Sequence, residues 1–387
     1  MPISPNQLRN PSFRFRDKEL ALILDCWQSR QSVLLTGIRR TGKSWVAKEA
    51  LVRHADAGGQ IGFLNVQDYT SLHDFYRDLL REMPRSLLAE TTDLLKTLGS
   101  VPDKIMGWLR EHVGKVGIPE GPVIEFQAPE SLPRYWQPLV EALGQVLSKH
   151  PAEKLPVLCI DELPFLLENL IRAGVPDVEL TVALASLRKL RDTGLRMIIA
   201  GSISMENLLT LHGIPDTVLG GLFRLPIRPF SKEEAQEYLT SRLQGKTASK
   251  PAHIEAALQI LPDFVPEFLN IATQYLSQMR PQDSLEGLMH DDVLPAINRS
   301  FLQQFRERLS KHYSREELSI AEQVLDTIAR AKTAAGARLN GKKLPEGYRR
   351  VVQMLQYDNF ILEGADFRWL FSLNLLRQWW RAERGVS

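Results

Sequence analysis

Gly37-Ile38-Arg39-Arg40-Thr41-Gly42-Lys43-Ser44 is the stretch from which the rest of the chain can be read. It fits G-x-x-x-x-G-K-[ST], the phosphate-binding P-loop. The apolar run Val33-Leu34-Leu35-Thr36 precedes it and predicts a strand over 32–36. Trp45-Val46-Ala47-Lys48-Glu49-Ala50-Leu51 follows with helical spacing and predicts a helix to about residue 55. Strand, glycine loop and helix are the context the pattern needs. The glycines let backbone N–H groups turn toward phosphate oxygens, and the helix presents its positive end to the same oxygens. The nucleotide contacts on this reading are Gly37, Ile38, Arg39, Arg40, Thr41, Gly42, Lys43, Ser44 and Trp45. Lys43 would reach the β- and γ-phosphates of a nucleotide, and Ser44 would ligate Mg²⁺. Arg39 and Arg40 would either add charge against phosphate or face solvent. An ordinary Gly-rich turn is the competing reading, and the flanking strand and helix argue against it.

A second element follows about 120 residues later. Pro156-Val157-Leu158-Cys159-Ile160-Asp161-Glu162 is an apolar run ending in two carboxylates, the pattern of a Walker B strand. Asp161, at the carboxyl end, would reach the Mg²⁺ shell, and Glu162 would orient and deprotonate the attacking water. Leu195–Ser202 predicts a further strand with a polar end. There Ser202 would touch the γ-phosphate or the lytic water, or act as the N-cap of the segment Ser202-Ile203-Ser204-Met205-Glu206.

Between these strands the pattern is mostly helical. Ile61–Val66 predicts strand two. Helices are predicted near 17–29, 71–82, 86–97, 102–113, 135–149 and 178–192, with a hairpin around Gly121-Pro122. The excursion 70–150 is too long for a plain crossover and is expected to decorate the sheet. Phe223–Ile227 predicts strand five, and Ser231-Lys232-Glu233-Glu234 is a capping box opening a helix. Helices over 231–243, 251–260 and 263–279 would form a lid. The end of the chain predicts helices at 291–310, 315–335 and 345–357, short strands at 359–362 and 367–371, and a last helix from Asn374. Helices followed by a hairpin describe a winged helix. The expected domains are a core over 1–230, a lid over 231–284 and a winged helix over 285–387.

Length, composition and charge set the bounds. A chain of 387 residues, 44% hydrophobic and 24% charged, is globular with core enough for a large α/β domain. A net charge of +2 gives no global signal for nucleic acid, but seven Lys/Arg against one acid between Arg330 and Arg350 make a local +6. Cys26 and Cys159 lie in apolar runs and read as buried thiols of a reducing compartment. The start, Met1-Pro2-Ile3-Ser4-Pro5, has no apolar leader segment, and no run approaches a membrane span, so a cytoplasmic protein without membrane contact is expected. The eight histidines are scattered, and no structural zinc is expected.

Taken together, Gly37–Ser44, Cys159-Ile160-Asp161-Glu162-Leu163-Pro164, Gly201-Ser202, Pro229-Phe230-Ser231-Lys232-Glu233-Glu234-Ala235 and the Phe371–Trp380 ending resemble an AAA+ ATPase. More narrowly, they resemble the archaeal-type ATPase family, near the STAND NTPases. The resemblance implies an α/β P-loop NTPase fold with a parallel sheet ordered 5-1-4-3-2, a helical lid and a C-terminal winged helix. It also implies adenine as the base. In AAA+ proteins an arginine near the start of strand five often completes a neighbour's site. Here that residue is Arg224, with a salt-bridged sheet-end arginine as the alternative, and it raises a possible homo-oligomer. Two departures stand against catalysis between subunits. The stretch Leu219–Arg224 lacks the tyrosine-glycine-arginine run, and the sensor strand ends Gly-Ser-Ile-Ser without arginine. The expected function is an ATP-hydrolysing switch coupled to a protein partner or to double-stranded DNA. The alternative is a nucleotide-bound DNA-binding or scaffold protein with little turnover, serving a nuclease or toxin in a defence or mobile-element system.

Overall fold

Five short strands, β1 (Ser32–Thr36), β2 (Ile61–Asn65), β3 (Val157–Asp161), β4 (Arg196–Ala200) and β5 (Leu222–Pro226), form one parallel sheet in the order β2-β3-β4-β1-β5. The computed structural model describes residues 4–10, 15–114, 128–201, 205–331, 336–340 and 344–386. It divides into two units, residues 1–36 with 42–227, and residues 37–41 with 228–387. All five residues of β3 and of β4 are buried. That explains why both segments read as unbroken apolar runs, since a parallel strand covered on both faces has no solvent side to alternate toward. The order is the expected 5-1-4-3-2.

In the first unit the period-two alternation of the strands divides the core. Val157 and Cys159 of β3 face α1 (Asp17–Gln28) and α2 (Lys43–Asp56), among Leu20, Trp27, Val46 and Leu51. Leu158 and Ile160 face the opposite layer. That layer contains α3 (Leu72–Arg81), α4 (Arg85–Leu98), α5 (Asp103–Gly114), α6 (Trp136–Leu147), α7 (Leu163–Arg172), α8 (Asp177–Asp192) and α9 (Met205–Leu211). The excursion expected as a decoration therefore supplies four helices, α3 to α6, to one face of the core, beside α7, α8 and α9. Tyr76 of α3 stacks on Trp136 of α6 with ring centroids 3.9 Å apart, a contact of the kind that adds about 1 kcal/mol beyond area burial. The hairpin expected around Gly121-Pro122 lies outside the described residues. The sequence reading passed over α7, although Leu163, Leu166, Leu167 and Leu170 lie buried at helical spacing.

The second unit opens with α10 (Lys232–Arg242), closed at its start by the Ser231–Glu234 capping box, and continues through α11 (Pro251–Ile260) and α12 (Pro266–Leu276). α13 (Leu294–His312), α14 (Arg315–Ala329) and α15 (Tyr348–Tyr357) lead to the antiparallel hairpin β6 (Ile361–Glu363) and β7 (Trp369–Phe371), and α16 (Asn374–Arg384) ends the chain. A bridge from Ala337 to Trp369 adds a third short strand position. This composition is compatible with a winged helix. The phenylalanines Phe268, Phe301, Phe305 and Phe360, all fully buried, run edge to face or tilted through the interior with successive centroids 5.0, 5.2 and 5.0 Å apart. Among the described residues no helix is long and apolar enough to cross a membrane.

One carboxylate ties the two ends of this unit. Asp263 accepts from the backbone N–H groups of Asn374 and Leu375, both at 2.9 Å, and so caps α16 from the turn before α12. Burial pushes its carboxyl up to about 6, against the pull of those two hydrogen bonds. A carboxyl raised in the folded state binds its proton more tightly there than in the unfolded chain. Folding therefore loses stability as pH rises from about 4 through about 6. Asp263→Asn keeps an accepting oxygen and removes the charge. Relative to wild type it should gain on the order of 2–3 kcal/mol between pH 4 and pH 7. Chemical denaturation of both proteins at the two pH values reads this directly, and a difference that does not change with pH refutes it.

Candidate nucleotide site

The loop after β1 turns on two glycines with positive φ, Gly37 at 125° and Gly42 at 95°. A side chain at either would strain the turn. Gly42 is the N-cap of α2, so the first residues of that helix, Lys43 and Ser44, stand where its unpaired N–H groups point. Thr41 is fully buried and its hydroxyl donates to the Ile38 carbonyl at 2.8 Å, bracing the loop from inside. Arg40 holds an unusual positive φ of 72° and pairs through Nη1 with Glu267 at 2.9 Å, both belonging to the second unit. The chain thus offers Arg40 a protein carboxylate, a partner outside both sequence readings. Arg39 is half-buried.

Lys43 is 6% exposed and Asp161 only 2%. The Ser44 hydroxyl hydrogen-bonds to the Asp161 carboxylate, whose Oδ1 is buried without a hydrogen-bond partner. Burial raises the Asp161 carboxyl above its ordinary value, and the Ser44 hydrogen bond and the charges of Lys48 and Lys43 act against it. A hydroxyl and a carboxylate with a free oxygen make a hard-oxygen pair of the kind a small divalent cation takes. Glu162 follows at once, half-buried, and caps α7 with φ 62° and ψ 34°. A left-handed glutamate costs of order 1 kcal/mol, and such strain collects at functional positions. Gly201 ends β4, and a Cβ there would lie 2.4 Å from the Pro164 ring. The end of the predicted sensor strand therefore packs against the first turn of α7, and only glycine allows it.

The remaining predicted site residues are less gathered. Ser202 lies outside the described residues. Arg224, in β5, forms an ion pair with Glu206 of α9 at 2.6 Å, its side chain half exposed, which matches the salt-bridged alternative within a single chain. Trp45 is 45% exposed. The sequence reading missed Lys48, whose ammonium sits 4.9 Å from the Trp45 ring centroid and 5.1 Å from that of Phe63. Its signal was its spacing. Lys48 is four residues after Ser44 and so lies on the same helix face.

A five-stranded parallel sheet with a glycine loop between β1 and α2, and with Asp161 brought to Ser44, defines a P-loop nucleotide-binding fold. Residues 26–209 match the family model of the AAA domain. Over that segment the chain is similar to AAA+ ATPases, and its fold is that of a P-loop ATPase. In fold it is similar to the Walker-type ATPase of Pyrococcus abyssi, at 18% identity over 97% of each chain with a TM-score of 0.57. It is also similar to the ORC2 protein of Aeropyrum pernix, seen in ADPNP–ADP complexes, at 14% identity over 97% of this chain and 96% of that one with a TM-score of 0.52. No curated protein matches the chain.

Proposed function

We propose that the chain is an Mg²⁺-dependent ATP switch that passes its nucleotide state to a protein partner held by the winged helix. The observation that supports it most is the Ser44–Asp161 pair with its open Oδ1. Magnesium held there would neutralise charge between the β- and γ-phosphates when bound. Lys43 binds the same phosphates, and Glu162 orients a water toward the γ-phosphorus and takes its proton. The P-loop fold and the AAA domain match support nucleotide binding. The ATP-bound form and the form left after hydrolysis are then the two states available to a partner.

Duplex DNA is the second reading, favoured by the face of α15. Arg349, Gln353 and Gln356 are exposed there at helical spacing, the residue types that read guanine and adenine edges. Three features weigh toward protein. Arg350 is committed to Glu317 at 3.1 Å, the hairpin carries exposed Glu363 and Asp366, and the hairpin tip presents Phe367, 82% exposed. Lys342 and Lys343, expected to reach phosphates, lie outside the described residues. A gel shift in low salt should show no retention of duplex with or without ATP. Retention that falls steeply with salt, with base preference altered in Arg349→Ala, would establish DNA as the partner instead.

A further inference from the structure

Lys48 is placed in a way that packing alone does not require. Its helix covers the face of the sheet that carries Val157, Cys159 and Asp161. Phe63 of β2 is paired in register with Cys159, two residues before Asp161 on that face. The Lys48 ammonium lies over both the Phe63 and the Trp45 rings, 5.1 and 4.9 Å from their centroids. Two aromatic faces within this distance hold a cation in place and remove part of its water. Through Phe63, the register partner of Cys159, the ammonium is placed beside β3, and its charge favours the ionised forms of Cys159 and Asp161. Asp161 keeps Oδ1 without a partner in a nearly dry position, where a carboxylate needs positive charge nearby.

We propose that Lys48 is a positioning residue of the metal site, an internal counter-cation that balances Asp161 until a divalent cation arrives with the nucleotide. Because Lys48 repels the incoming ion, the nucleotide-free protein binds metal weakly. The negative phosphates of ATP supply the charge that reverses the balance. Metal and nucleotide therefore enter together, and the site does not fill with free magnesium between turnovers. This role rests on the reading of Ser44 and Asp161 as the magnesium pair.

The test is Mn²⁺ titration of the full chain followed by electron paramagnetic resonance, first without nucleotide and then with ATP. Lys48→Met keeps an unbranched stem beside the two rings and removes the charge. It should bind Mn²⁺ without nucleotide on the order of tenfold more tightly than wild type. Lys48→Arg should restore the weak binding. Phe63→Leu, which removes one of the two rings while keeping the ammonium, should give an intermediate gain and serves if the methionine variant does not fold. A Lys48→Met protein that melts at lower temperature but titrates Mn²⁺ as wild type does overturns the proposal, since a purely packing residue would behave that way. Asp161→Asn separates the two levels. If it retains Mn²⁺ in the presence of ATP, the magnesium-pair reading is wrong. If it loses the metal while Lys48→Met matches wild type, only the role of Lys48 fails.

Discussion

Glu162→Gln should bind ATP as wild type does and hydrolyse it about 10²–10³-fold more slowly, the range expected when a positioned general base is removed. The amide keeps the size of the side chain, its place as N-cap of α7 and the left-handed backbone at φ 62°, so folding and nucleotide contacts are preserved. What changes is the ability to accept a proton from water, because an amide is not a base at neutral pH. Comparing steady-state phosphate release with equilibrium binding of a fluorescent ATP analogue separates the two effects. A variant that turns over at the wild-type rate removes Glu162 from the chemistry and leaves its strained backbone without a catalytic reason.

Lys43→Ala is expected to act one step earlier, by abolishing useful binding. Lys43 is buried at the first turn of α2, where charge-assisted hydrogen bonds to phosphate are worth about 1.5–3 kcal/mol each. Loss of one or two of them weakens ATP by about a hundredfold, which the same fluorescence titration measures. Affinity within about threefold of wild type would mean that the loop does not hold the β- and γ-phosphates. Mixed with Arg224→Ala chains, the same variant examines whether Arg224 leaves Glu206 to complete a neighbouring site. Recovery of turnover in the mixture supports a trans-acting arginine. No recovery, in a protein shown to be oligomeric and cooperative, leaves Arg224 as the sheet-end ion pair.

How far the sequence carried depends on how local the determining physics is. The loop Gly37–Ser44 and the strand end at Asp161-Glu162 were legible because each needs a fixed residue at a fixed backbone turn. The strand order followed from resemblance, and the buried strands from their unbroken apolar runs. α7 was legible in principle, since Leu163 to Leu170 carries helical spacing, but the eye stops at Asp161-Glu162-Leu163-Pro164 as if at a loop. Proline at the second helical position is in fact a helix start. Lys48 was hidden for a different reason. Its meaning depends on Phe63, which reaches it only through the pairing of β2 with β3. The Arg40–Glu267 and Arg224–Glu206 pairs likewise join residues far apart in the chain, and nothing in the spacing of either arginine announces its carboxylate.

The row of four phenylalanines in the second unit bears on how such a chain can be recombined. Phe268 belongs to the lid segment and Phe301, Phe305 and Phe360 to the segment read as the winged helix, yet all four rings are fully buried in one row. A gene fusion cut at residue 284 would part Phe268 from Phe301, the one ring contact of the row that crosses it. Each buried aromatic lost in this way costs about 3–5 kcal/mol when truncated, a large part of the stability of a domain. The segment expected as a winged helix therefore shares its interior with the helices before it, and exchange among related genes would carry the two together as a single heritable block.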